Sequence, residues 1–260
     1  PRDDAEAFAL LEVLDDRLAA HGGMARFGHD DGYAVGRPEH VFPAIAAFAV
    51  AVEARCGLLL VPSKSEVYCR ESVLPRNALP GFTLAGTKVG EQWENGFICY
   101  GVPVGSDAFV KAKMMEKVEE VASKIQRARQ VLGGERQGLW TVLRQSFNQQ
   151  LDWWLTLVYP SLIRDAARRM DEIVWEALED CAGSAIPQGD QGKGWDCPLT
   201  APVAPWQGRS YQELKVRQPT RSGGLGLTSL EDLSPVAFVG GLQQCIPHFI
   251  GTRGLCTLLR

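Results

Sequence analysis

Two adjacent carboxylates, Asp30 and Asp31, stand directly before Gly32 and between two short apolar stretches. Asp-Gly in that setting is a hairpin signal, so residues 24–27 and 33–35 are expected as short strands joined through 28–32, with Asp31-Gly32 in the turn. A tight turn would hold both carboxylates in one small volume, where their repulsion is costly unless cations or solvent screen it. A divalent ion relieves that repulsion, and Mg²⁺ favours a few carboxylates together with substrate phosphates. Two such ions about 4 Å apart can activate an attacking 3′ oxygen and stabilise the leaving one in phosphoryl transfer. Asp-Asp-Gly is equally a good turn sequence with no further duty, and a dipeptide alone does not choose between the two.

The elements that must position this pair can be read from periodicity. Residues 5–20 keep Phe8, Leu11 and Leu18 on one helical face, with Gly22 as the stop. After the hairpin, Pro38 suits a helical first turn, Val41, Ile45, Phe48 and Val52 keep helical spacing, and Gly57 ends the run. Residues 58–61 and 66–69 read as strands around Pro62-Ser63-Lys64. Residues 82–89 and 97–104 read as another pair, with Asn95-Gly96 as its turn. From Ser106 the period becomes helical: a long helix to about residue 132, a second over 136–159 stopped by Pro160, and a third from Ser161 to about 181. Residues 183–210, with several Gly and Pro, read as a loop, and residues 234–245 as a further helix. A small sheet followed by helical hairpins is an α+β arrangement.

Composition narrows the class. The 260 residues are 45% hydrophobic and 22% charged, ordinary values for a globular chain with a real core. No apolar run reaches the length of a membrane-spanning helix, so no membrane partner is expected. Seven scattered cysteines without a CxxC pair, alongside four His, suggest free thiols and no zinc site. The opening Pro1-Arg2-Asp3-Asp4 is polar and lacks both a signal peptide and an initiator Met, so a piece of a longer, intracellular protein is expected, nuclear or cytoplasmic. The net charge of -4 hides an asymmetry: residues 1–55 carry five Arg against ten Asp and Glu, whereas residues 109–170 carry eleven Lys and Arg against six acids. Phosphate binding depends on such local patches, although solvated helix faces give the same counts. Lys113, Lys117 and Lys124 share one helical face.

Three motifs then occur in a telling order. Arg26-Phe27-Gly28-His29-Asp30-Asp31-Gly32-Tyr33-Ala34-Val35-Gly36 resembles the aromatic-x-Asp-Asp hairpin of the reverse transcriptase palm. Cys56-Gly57-Leu58-Leu59-Leu60-Val61-Pro62-Ser63-Lys64-Ser65-Glu66-Val67 resembles the palm motif that follows it, and Tyr100-Gly101-Val102-Pro103-Val104-Gly105 resembles the strand that grips the primer end. The helical region to about residue 180, including Arg144, Trp153 and Trp154, resembles the thumb of retroelements without long terminal repeats. Gly223-Gly224-Leu225-Gly226-Leu227 and the Ala/Gly-rich residues after it extend the likeness faintly. Two departures stand out: Gly28 occupies the position of the usual aromatic, and no strand-borne Asp precedes Met24, although the family places a further catalytic Asp upstream.

The resemblance implies a partial palm over residues 1–105, a helical thumb over 106–181 and a loop-rich extension with a helix over 182–260. It implies Asp30 as metal ligand, Asp31 as its partner and Lys64 beside the triphosphate. Lys113, Lys117, Lys124, Arg127 and Arg144 would follow template–primer phosphates. The implied cofactor is Mg²⁺, or Mn²⁺ in its place; the implied partners are an RNA template, a DNA primer and deoxynucleotide triphosphates. A chain with carboxylates from one strand only is expected to bind the metal weakly and to lack polymerase activity alone. Two other readings stay open: a non-catalytic nucleic-acid-binding or interaction remnant, and an unrelated α/β domain with an acidic turn.

Overall fold

The computed structural model describes residues 2–28, 31–132, 134–182, 217–222 and 224–250. It divides the chain into two compact units, residues 1–97 and 98–260, with the division inside one strand, β6 (Gln92–Cys99). The division differs from the expected palm–thumb boundary at 105/106, and the described residues beyond 216 belong to the helical unit.

The first unit starts with α1 (Arg2–Ala19), followed by an antiparallel hairpin of β1 (Met24–Gly28) and β2 (Asp31–Val35). Its register runs from Met24↔Val35 to Gly28↔Asp31. Asp31 and Gly32 are therefore strand residues of β2, not the turn the Asp-Gly signal suggested; cross-strand pairing with Gly28 and Phe27 claims them first. The ribbon packs on α1 and on α2 (Pro38–Cys56) through buried Leu14, Leu18, Ala25, Val41 and Ala44, with Ile45 and Phe48 alongside. Pro38 opens α2, and Gly57 closes it in the left-handed region at φ 69°, its N–H bonded to the Glu53 carbonyl at 3.0 Å. Phe27 reaches Phe48 at 5.7 Å between ring centres, so the hairpin is tied to the helix near its tip.

The rest of this unit departs further from expectation. Residues 58–61 form no strand, and Pro62–Lys64 make one 3₁₀ turn. Only two-residue strands follow, β3 (Glu66–Val67) paired in parallel with β4 (Thr83–Leu84). The next hairpin joins β5 (Gly86–Val89) to β6, with Gly90-Glu91 between the innermost pair Val89↔Gln92. Asn95-Gly96 lies within β6, because the Asn95 amide is drawn away to the Cys69 carbonyl at 3.0 Å and Ser72 Oγ at 2.6 Å. The last strand, β7 (Val102–Gly105), belongs to the second unit.

The second unit is helical. Ser106 Oγ accepts from the Phe109 N–H at 3.2 Å and starts α3 (Asp107–Leu132). Phe109, Val110, Met114, Val118, Val121 and Ile125 make its buried stripe. The expected single helix over 136–159 is broken: α4 (Arg136–Val142) passes into a π segment (Leu143–Phe147), then a turn, then α5 (Asp152–Leu157). Pro160 does not simply stop that run; it is the first residue of α6 (Pro160–Ala182), whose Ile163, Ala167, Met170 and Val174 face the core. The final helix, α7 (Leu230–Ile250), is longer than expected and packs on α5 and α6. Leu225, Leu227 and Leu230 of the stretch before and at its start join the same core. The expected loop over 183–210 lies outside the described residues.

Among the described residues no helix is long and apolar enough to cross a membrane, and Cys56, Cys69, Cys99 and Cys245 are free thiols.

Candidate functional site

Asp30 and His29 lie outside the described residues, and Asp31 begins β2, exposed and opposite Gly28. The hairpin that carries them is well supported. Gly32 faces Phe27 across the ribbon so closely that a Cβ there would meet the Phe27 ring. That ring lies over the glycine and stiffens the two strands next to the acidic residues. On the α1 side, Asp15 Oδ1 accepts from the Ala25 N–H at 2.7 Å and Oδ2 from Arg26 Nη1 at 2.7 Å. The Ala25 hydrogen bond, helped by Arg26, holds the Asp15 carboxyl below its ordinary value.

Lys64 ends the 3₁₀ turn before β3, exposed, rather than standing on a strand start. A hard cation needs several oxygens held together. Among the described residues no group of three or more His, Cys, Asp or Glu could hold a metal ion.

The basic residues expected to follow phosphates divide between α3 and the π segment. Lys113, Lys117, Lys124 and Arg127 all lie on α3. Three of them are engaged along the helix itself: Lys113 with Glu116 at 2.7 Å, Lys117 with Glu120 at 2.8 Å, and Lys124 also with Glu120. The two lysine hydrogen bonds lower the Glu120 carboxyl to about 2. The face is thus an alternation of charges, which the sequence spacing of the lysines alone concealed.

Arg144 is different. It belongs to the π segment, its guanidinium stands 5.6 Å from the centre of the Trp140 ring, and it has no ion-pair partner among the described residues. Gly226, at φ 70°, is also close: an added Cβ there would come within 3.1 Å of Arg144 Nε. Arg144 lines a polar cavity of about 230 Å³ with Gln145, Asn148, Gln149, Asp152 and Thr228. Buried Asn148, its amide oriented to satisfy both partners, donates to the Thr228 carbonyl at 3.1 Å and accepts from the Thr228 N–H at 3.2 Å. These two hydrogen bonds pin the stretch before α7 to the end of the π segment. Asp152 is solvent-exposed, and partial desolvation raises its carboxyl above its ordinary value.

Asp152 was not picked out from the sequence, since a lone Asp in a presumed continuous helix carries no signal. The Leu-Gly-Leu run at 225–227 was visible, but its partner across the fold was not.

Trp154, in contrast, is structural in this unit: its Nε1–H donates to the Gly101 carbonyl at 2.8 Å. It braces a tight turn in which Tyr100 (φ 48°) and Gly101 (φ 79°) both adopt the left-handed region.

In comparisons with known proteins, no family model, no curated protein and no solved structure matches the chain.

Proposed function

We propose that this chain is part of the RNA-directed DNA polymerase of a retroelement, comprising the acidic hairpin of the palm and the thumb after it, and that it is not a polymerase by itself. The observation that carries the reading is the β1–β2 hairpin: a ribbon with Asp31 at the start of its second strand, Asp30 just before it in sequence, and α2 packed on it through Phe27 and Phe48. A helical unit opened by the Ser106 cap follows in the order the resemblance implies.

In this reading Asp30 and Asp31 contribute carboxylates to a Mg²⁺ or Mn²⁺ site that an upstream strand completes, and Lys64 steadies triphosphate charge. The whole polymerase would then copy an RNA template from a DNA primer in the nucleus or cytoplasm. On α3, Lys113, Lys117 and Lys124 would exchange their glutamate partners for duplex phosphates, and Arg127 would join them. That exchange makes binding modest and strongly salt-dependent.

Primer extension by a polypeptide extended upstream tests the catalytic part. Extension is expected, and Asp30→Ala is expected to abolish it; equal extension by both would overturn the metal role. Primer–template binding by the present chain tests the thumb. Affinity is expected to fall steeply with salt and to weaken on Lys117→Ala with Lys124→Ala. Salt-insensitive binding, or none, would count against it.

A second reading, a non-catalytic nucleic-acid-binding remnant, is favoured by Gly28 standing where the family hairpin carries an aromatic. Duplex binding without extension would select it.

A further inference from the structure

We propose that the cavity between the π segment and the 226–233 stretch is a guanine-binding site, taking the base as a free nucleoside or nucleotide or as an unstacked residue of a single strand. Two groups of opposite hydrogen-bonding character line this one cleft, Arg144 and Asp152, and neither has an ion-pair partner among the described residues. A guanidinium presents a planar fork of donors, and a carboxylate presents two acceptors. Guanine alone among the bases sets two adjacent acceptors, O6 and N7, beside two adjacent donors, N1–H and N2–H₂. It can therefore satisfy the fork and the carboxylate bidentately at once. Adenine turns its amino group toward the fork, and a pyrimidine is bidentate toward only one of the two partners.

The cleft is built in advance. Trp140 stacks near the guanidinium, and Gly226, lacking a Cβ, leaves it room. The Asn148–Thr228 pair fixes the two walls relative to each other. Gln145 and Gln149 add carboxamides able to donate or accept at the rim. About 230 Å³ suits one base and not a drug-sized ligand. π segments recur at functional sites because the extra residue re-aims side chains, and here it falls where Arg144 leaves the helix. The Asp152 carboxyl is solvent-exposed and raised by partial desolvation, and it gains from incoming N–H donors. No duplex contact enters this inference, so it stands or falls apart from the polymerase reading.

Calorimetry on the whole chain with guanosine, adenosine, cytidine, uridine and inorganic phosphate tests it. Guanosine is expected to bind at least about tenfold more tightly than the other nucleosides, the discrimination one good bidentate pair provides. Asp152→Asn and Arg144→Lys are each expected to remove that preference, with helix content retained by circular dichroism. Should either variant fail to fold, 7-deazaguanosine on the unaltered chain isolates the N7 contact, and about tenfold weaker binding is expected. An oligouridylate carrying one guanosine, read by fluorescence anisotropy, separates the sources. Binding it better than oligouridylate supports the strand form, and binding free guanosine only supports the small-molecule form. Equal binding of all nucleosides, displacement of guanosine by inorganic phosphate, an unchanged preference in Asp152→Asn, or no guanosine binding would overturn the proposal.

Discussion

The Asp171 side chain accepts a hydrogen bond from the Leu230 backbone N–H at 2.9 Å, so a residue of α6 caps the start of α7. The same carboxylate accepts from Ser229 Oγ at 2.7 Å and from the Glu231 N–H at 3.3 Å. One half-buried acidic group thereby answers two of the free N–H donors at a helix start and stands at its positive pole. Asp171→Ala is expected to destabilise the helical unit by about 1–3 kcal/mol, since buried donors lose their acceptor. Urea denaturation followed by far-ultraviolet circular dichroism checks it, and Asp171→Asn should cost less than the alanine variant.

The close facing of Phe27 and Gly32 makes a coupled pair. Gly32→Ala drives a Cβ into the ring and is expected to cost about 1–3 kcal/mol, the usual penalty of overpacking. In a Phe27→Ala background the same change should cost far less. Thermal unfolding of the four proteins in a double-mutant cycle measures the difference, and additive effects would show that the ring does not cover the glycine.

Glu120 offers a test of the α3 charge pattern by titration. Its carboxyl is lowered from 4.5 to about 2 by hydrogen bonds from Lys117 and Lys124. A depressed folded value means that its contribution to stability is complete above about 4.5 and is lost as the pH falls toward about 2. Carboxyl nuclear magnetic resonance shifts should show that midpoint, and Lys117→Ala or Lys124→Ala should move it up.

Glutamate pairing also predicts a gain. Glu120→Gln releases two lysines from one carboxylate. If α3 carries duplex phosphates, this variant should bind a primer–template several-fold more tightly, and the slope of log affinity against log salt should steepen by about one to two. Unchanged affinity and slope would place the duplex elsewhere or nowhere.

What the sequence disclosed follows the range of the forces involved. Pro38, Gly57 and Ser106 act within one turn of their own positions, and they start or end α2 and α3 as read. The ribbon over 24–35 was legible too, but its connection was misplaced, because Asp31 and Gly32 pair across the strands in preference to forming the turn. Asn95-Gly96 failed for a longer-range reason: the Asn95 amide bonds to Cys69 and Ser72, more than twenty residues earlier. No Gly or Pro at 143–151 marks the break into a π segment, and the Asn148 contact beside it reaches Thr228, eighty residues on. Of the candidate site, the lysine face was visible and its neutralising glutamates were underweighted. The Arg144 cavity was invisible, because its walls are some eighty residues apart in sequence.

The Asp15 contact with Ala25 has a bearing on how the ribbon meets other chains. A bare strand edge invites a foreign strand to zip onto it, and proteins commonly post a charge there as a guard. Here the sentry is a helix side chain that takes the Ala25 N–H for itself and leaves no vacancy at that rung. Acid would weaken it: a protonated Asp15 is a poorer acceptor, so the Ala25 rung is expected to loosen only below the ordinary carboxyl range.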